Sequence, residues 1–359
     1  ARIGGRRARR GGGGGVAGGM RGEGGVDVLV RVEGGYRWGM GHVVRQAAIA
    51  DALRRRGHAV GFVTTAETTA DTMLRAHGFA VTTVGDENVL VPPHLPSPGT
   101  LVVDRLTQGA PLRRFAAAHP EVDIVTFDDT GAGLMVARAV INALAGTWGA
   151  YDRDGVRAAL YEGPAFAPLR PAVADAVVGT SQAPVAPRAR RLLLAFGGSD
   201  DLGIAVRMLE VLRHLPGPPL QLRVHRGPAT RYGAAMTAAM TDHPHRIAWT
   251  EGDFVDEVVR ADLVLSAGGT MLFELAALGA VTAATAGSEA EAKNIAAFAS
   301  AGAVVDCGAH ETLGKATVPL VARAVADARH RAALTAAGRR LVDGRGLARV
   351  VDVIAGAGA

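Results

Sequence analysis

Three short glycine-bearing segments constrain this chain most, because each is expected to follow a strand and open a helix. They are Gly39-Met40-Gly41-His42, Gly197-Gly198-Ser199-Asp200 and Ser266-Ala267-Gly268-Gly269-Thr270. A strand, a glycine turn and a helix in succession set unpaired backbone N–H groups at the positive end of a helix dipole, where a phosphate can sit. Together they point to a cleft that holds a phosphorylated ligand. His42, one residue inside the first helix, is placed to do acid–base chemistry there.

The flanking pattern supports this reading. Residues 26–32 form an apolar run fit for a buried parallel strand. Val43, Ala47, Ala50 and Leu53 then recur at helical spacing, and Gly57 closes that helix. Further strands are expected at 59–64, 101–104, 123–127 and 140–142, with helices near 69–77 and 112–118. Prolines at 164, 168, 171, 184 and 187 break the pattern, so 146–190 reads as an interdomain segment. The alternation restarts with strands at 191–196, 220–224, 247–250, 263–265, 281–285 and 304–305. Helices are expected at 202–214, 257–260, 270–278 and 294–300. Helices near 317–326 and 330–342 finish the second domain or pack back across the hinge. The expected fold is α/β: two Rossmann-like doubly wound parallel sheets with the cleft between them. The first domain spans 26–145 and the second 191–359.

At 359 residues the length suits two domains. The net charge of +5 lies wholly in residues 1–25, where six arginines meet one acid, Glu23. The rest of the chain is neutral overall, which argues against a nucleic-acid-binding domain. The glycine-rich tail reads as disordered, with the biological start at Met20; the alternative is a weak polyanion-binding arm. The one cysteine, Cys307, excludes an intrachain disulfide and a cysteine-rich zinc site. No apolar run of about eighteen residues is present, so no membrane span is expected and the cytoplasm is the expected compartment.

His42 follows a turn in which Gly39 and Gly41 let the backbone bend tightly, and the helix dipole favours its neutral, proton-accepting form. The bland alternative is a capping or solvated histidine. Gly197 and Gly198 permit close approach to an anion, Ser199 offers a hydroxyl, and Asp200 or Asp201 can cap the next helix. Thr270 is the expected N-cap of the third unit. Glu274, one turn further in, can accept hydrogen bonds from a ribose or simply complement the dipole. Asp128-Asp129, after a strand, reads as cleft-lining or turn-capping rather than metal-binding, and Asp104 is treated alike. No metal or other cofactor is expected. The spacings suit no serine or cysteine triad, no H-E-x-x-H zinc motif, no Walker loop and no full dinucleotide fingerprint.

Residues 31–65, with VVD at 102–104, TFDD at 126–129, VIN at 140–142, LLLAFGGSDD at 192–201 and ADLVLSAGGTMLFELAALGA at 261–280, resemble a known family. It is the UDP-2,4-diacetamido-2,4,6-trideoxy-β-L-altropyranose hydrolase family of pseudaminic acid biosynthesis. The family includes spore-coat polysaccharide biosynthesis homologues and lies within the GT-B glycosyltransferase superfamily. The resemblance implies a GT-B fold, a UDP-sugar in the cleft and no obligatory metal. It implies that His42 assists a water at the anomeric carbon. Gly39, Gly41, Gly197, Gly198, Ser199, Gly268, Gly269, Thr270 and Met271 would face the diphosphate, and Glu274 the ribose. Arg31, Glu33, Asp104, Asp128, Asn142, Glu291 and Asn294 would lie on the sugar side. Ala290-Glu291 stand where the family often has Asn-Gln, and Leu106 where it often has tyrosine, so the sugar's identity is not carried over.

Three readings follow. The leading one is a UDP-sugar hydrolase with His42 as general base. The alternative is an inverting glycosyltransferase in which His42 deprotonates an acceptor hydroxyl. The third is a catalytically silent nucleotide-sugar-binding module.

Overall fold

The structure, a computed structural model, describes residues 26–34, 40–66, 69–105, 109–147, 151–179, 185–197, 200–227, 230, 233–250 and 252–356. The tail 1–25, Gly39, Leu106, Gly198 and Ser199 lie outside those residues.

The first sheet comprises β1 (Val28–Val32), β2 (Val60–Thr65), β3 (Ala80–Val84), β4 (Thr100–Asp104), β5 (Asp123–Phe127), β6 (Ala139–Asn142) and β7 (Ala159–Glu162). Its order is β3-β2-β1-β4-β5-β6-β7, and every pairing is parallel. The second comprises β8 (Arg191–Ala195), β9 (Gln221–His225), β10 (Arg246–Thr250), β11 (Leu263–Ala267), β12 (Thr282–Ala286) and β13 (Val305–Ala309), in the order β10-β9-β8-β11-β12-β13, again all parallel. The helices are α1 (Gly41–Arg55), α2 (Thr69–Ala76), α3 (Gly109–Ala118), α4 (Ala132–Val136), α5 (Pro171–Gly179), α6 (Ile204–Leu212), α7 (Ala234–Met240), α8 (Phe254–Arg260), α9 (Met271–Leu278), α10 (Glu289–Ser300), α11 (Val318–Ala326), α12 (Ala328–Leu341) and α13 (Gly346–Ile354).

Parallel strands covered on both faces read as unbroken apolar runs, and β1 and β12 are buried at every position. In α1 the predicted stripe Val43, Ala47, Ala50 and Leu53 is buried against the sheet. The helix ends where Gly57, at φ 90°, donates its amide to Arg54 O at 2.9 Å.

Strand order reverses between β1 and β4 in the first sheet and between β8 and β11 in the second. In open α/β sheets the crevice at such a reversal, beyond the carboxyl ends of the strands, is where ligands bind. The described parts of the glycine segments, Met40 to His42, Gly197 and Gly268 to Thr270, come after β1, β8 and β11, at the two reversals.

The expected interdomain stretch 146–190 is more ordered than its prolines suggest. It supplies β7, the edge of the first sheet, and then α5, while Ala167, Leu169 and Val173 pack into a core of the second domain. Pro171 stands at the first position of α5, where its missing N–H leaves no bond unmade. The chain end differs as well. Helices α11 and α12 pack on the second domain, but α13 crosses back, and its Val350, Val351, Val353 and Ile354 join the core beneath β1 and α1.

Candidate active site

His42 sits in the first turn of α1, and residues 45 and 46 share its face of the helix at three- and four-residue spacing. That face meets the carboxyl end of β4. His42 Nδ1 lies 2.7 Å from Asp104 Oδ1. Arg45 donates to Asp104 from Nη2 at 2.6 Å and from Nε at 3.0 Å, and Gln46 Nε2 donates at 2.8 Å. Arg45 Nη1 donates to Asp128 Oδ2 at 2.7 Å.

Burial by itself would push the Asp104 carboxyl up, but Arg45 and His42 overcome this and hold it well below the usual carboxylate range. An ionised carboxylate only accepts hydrogen bonds, so Nδ1 of His42 carries the proton and donates it to Asp104. Arg45 Nη2, 3.2 Å from the same nitrogen, is a donor and gives its hydrogen to Asp104. Burial opposes the Arg45 charge as well, yet Asp104 and Asp128 raise its pKa. In the neutral ring Nε2 is then the nitrogen with the free lone pair, on a side chain that keeps 19% of its surface exposed. The contact with Asp104 selects the tautomer of the neutral ring, the form that can accept a proton at Nε2.

Behind it, Asp128 adopts the left-handed backbone at φ 47°, uncommon outside glycine. Its turn is pinned by Asn142, whose Oδ1 accepts from Asp129 N at 3.0 Å and whose Nδ2 donates to Asp129 O at 3.2 Å. Asp129 accepts from the amides of Gly131 at 2.7 Å and Gly133 at 2.9 Å. The acidic pair is therefore engaged by a guanidinium and by amides.

In the second domain Gly197 follows β8 at φ 88°, a conformation that suits glycine. Asp200 does cap the next helix: its carboxylate accepts from Ile204 N at 2.8 Å and Ala205 N at 3.1 Å. The amides expected to meet a phosphate at α6 are thus occupied by an internal carboxylate. After β11, Gly268 allows α10 to close in, because a Cβ there would stand 2.7 Å from Glu291 O. Gly269, Thr270 and Met271 open α9; Thr270 holds the N-cap position without a side-chain cap bond. One turn on, Glu274 forms a two-pronged pair with Arg170, both contacts at 2.6 Å. Arg170 also lies over Phe254, 5.2 Å from the ring centre, and His225 meets the same ring edge-on.

Several residues expected on the sugar side are buried and hydrogen-bonded within the protein. Asp104 and Asn142 are fully buried behind His42. Arg31 is fully buried and donates to the carbonyls of Val89 at 2.9 Å, Glu87 at 3.1 Å and Val32 at 3.1 Å, besides pairing with Glu33. Glu33 in turn accepts from Thr65 Oγ1 at 2.7 Å. Arg31 lies on β1 and Glu33 one residue past its end; β1 is buried on both faces, and both side chains are enclosed with it. Glu291 accepts from Gly287 N at 2.7 Å, and burial pushes its carboxyl up. Asn294, also buried, donates to Gly268 O and accepts from Ala145 N. Gly41 opens α1 with nothing within 4 Å of where a Cβ would stand.

The roles of Arg45, Gln46 and Arg170 were missed. Helical spacing from His42 was the available signal for the first two; nothing in the sequence ties Arg170 to Glu274.

Two parallel-sheet α/β domains, with both reversals marked by glycine turns, define a GT-B fold, as expected. Among solved structures the chain is similar to MurG of Acinetobacter baumannii, with a TM-score of 0.65 and 16% identity, covering 92% of this chain and 99% of that one. CalG4, the calicheamicin glycosyltransferase, matches at 0.62 and 16%, covering 92% and 98%. The S. aureus MnaA–UDP co-structure matches at 0.56 and 13%, covering 92% and 96%. At these identities the fold is what is shared.

More particularly, the chain is 25% identical over 346 residues to the spore coat polysaccharide biosynthesis protein SpsG of Bacillus subtilis (strain 168), covering 92% of this chain and 98% of that protein. No family model matches. Among the described residues no helix is long and apolar enough to cross a membrane.

Proposed function

We propose that this protein is a glycosyltransferase-like nucleotide-sugar enzyme that moves a sugar from uridine diphosphate to an acceptor hydroxyl. The observation that carries the reading is the 2.7 Å contact between His42 Nδ1 and Asp104, which supports a neutral tautomer with Nε2 free to accept a proton at the first sheet's reversal. In the step, His42 Nε2 takes the acceptor's proton as its oxygen bonds to the anomeric carbon. The bond from that carbon to the diphosphate breaks, and the electron pair leaves on UDP. Configuration at the carbon inverts. Asp104 offsets the imidazolium charge that forms. The diphosphate gains charge as it leaves, and the positive end of α9 with the Gly268–Met271 turn would stabilise it. Glu274, steadied by Arg170, would receive the ribose hydroxyls.

Similarity to SpsG supports a role in polysaccharide biosynthesis, and the UDP held by MnaA supports the nucleotide. Water in place of the acceptor, the sequence's leading reading, would use the same base and the same leaving group. Glycosyltransferases among the structural neighbours favour the hydroxyl. Incubating the protein with UDP-sugars, with and without candidate acceptors, separates the two. UDP release that requires an acceptor is expected; release in buffer alone would make the enzyme a hydrolase. Tight UDP binding with no turnover, unaltered in His42→Ala, would leave only the silent binding module.

A further inference from the structure

Asn294 ties the connector that leaves the first sheet after β6 to the turn that opens α9. Its side chain is 3% exposed and uses both ends. Nδ2 donates to Gly268 O, 3.1 Å away on the turn that opens α9. Oδ1 accepts from Ala145 N, 2.8 Å away, just past the end of β6. The assignment of the two ends follows from the partners, since a carbonyl only accepts and an amide only donates. On the first-domain side the bonded path continues through β6: Asn142 pins Asp129, neighbouring Asp128 holds Arg45, and Arg45 and His42 share Asp104. On the second-domain side α10 lies close against the same turn: Glu291 O and Ile295 would each stand 2.7 Å from a Cβ built on Gly268, so only glycine fits there.

Resting on the proposed function, we infer that Asn294 is a positioning residue that sets the gap between the base of one domain and the diphosphate-facing turn of the other. It touches neither reacting atom in this scheme. Its amide holds the second domain's turn in register with the first, and no other side chain type of its length both donates to one carbonyl and accepts from one amide. Reaction rate depends steeply on such registration, about a hundredfold for a misplacement of 1 Å, whereas UDP bound within one domain does not feel it.

The test uses Asn294→Ala and Asn294→Asp in the full chain. Aspartate keeps the acceptor for Ala145 but offers no donor to Gly268. Both variants are expected to lose about 10- to 100-fold in kcat, with the Kd for UDP within about threefold of wild type, since ligand contacts are unchanged. Spin labels on cysteines placed at Arg55 of α1 and Val259 of α8, both exposed, report the interdomain distance. Cys307 is buried, and burial pushes its thiol up to about 12, so it stays unlabelled. A single narrow distance distribution in wild type should broaden in both variants. An unchanged distribution, or a kcat loss matched by an equal loss of UDP affinity and Tm, would overturn the inference. If the wild-type protein turns over no UDP-sugar, the enzymatic reading fails, and the distance measurement still decides whether Asn294 registers the domains.

Discussion

In the proposed reaction His42 would draw on the carboxylate behind it as well as on the helix dipole. In Asp104→Asn the fixed tautomer is lost, because an amide can present either a donor or an acceptor to Nδ1. Turnover measured as UDP release should fall by about 10²- to 10⁴-fold, while calorimetry should show UDP binding intact. An Asp104→Asn enzyme with full kcat would remove His42 from the mechanism as written. Buried His245 bears on acid stability. His245 is buried with Nδ1 accepting from Leu220 N at 3.3 Å and Nε2 facing Leu212 O at 3.0 Å, and burial holds its pKa below the ordinary histidine value. His243 beside it is lowered by burial too. As pH falls through about 6.5, the unfolded chain takes up these protons first, so stability drops from there downward. Asp104, held low in the fold, adds a further loss below about pH 4. Denaturant midpoints should decline between roughly pH 7 and pH 5 in wild type and decline less steeply in His245→Asn.

At the scale of elements, α13 shows how a short helix can serve a core far from it in sequence. It contributes Val350, Val351, Val353 and Ile354 to the first domain, and Arg138 donates from Nη2 to Val353 O at 2.9 Å. Ending the chain at residue 343 removes these side chains. Each is worth about 1.5–3 kcal/mol when fully buried, which in sum is comparable with the whole stability of a typical domain. The truncated protein should show the first domain melting early, with the second melting near its normal temperature; a single unshifted transition would refute this. Helix α1 was readable because its stripe of apolar residues is long and its closing glycine is in place. β3 escaped prediction because four of its five residues are not buried, and β7 because its four residues, just before Gly163-Pro164, carry no clear period.

For the whole molecule, the doubly wound pattern appeared in the alternation of apolar runs and helical stripes. The glycine turns fell at both sheet reversals, where a crevice opens. The candidate site was half visible. His42 stood out by its place after a turn, but the sugar-side set mixed true neighbours of the base with buried, internally bonded residues such as Arg31 and Asn142. A polar residue at a strand end looks the same in one dimension whether it faces a cleft or the interior. Only the packing around it separates the two.

Local chain chemistry was enough for most of the strands and helices, though not β3, β7 or α13, and for the glycine turns and a histidine at the head of α1. Those features depend on periodicity and backbone angles within a few residues. Pairings across long stretches came from the folded chain alone: His42 with Asp104 across 62 residues, Arg45 with Asp128 across 83, Arg170 with Glu274 across 104, and Ala145 with Asn294 across 149. A buried charge or amide needs a partner wherever the fold brings one, and nothing in its immediate sequence says which residue that will be.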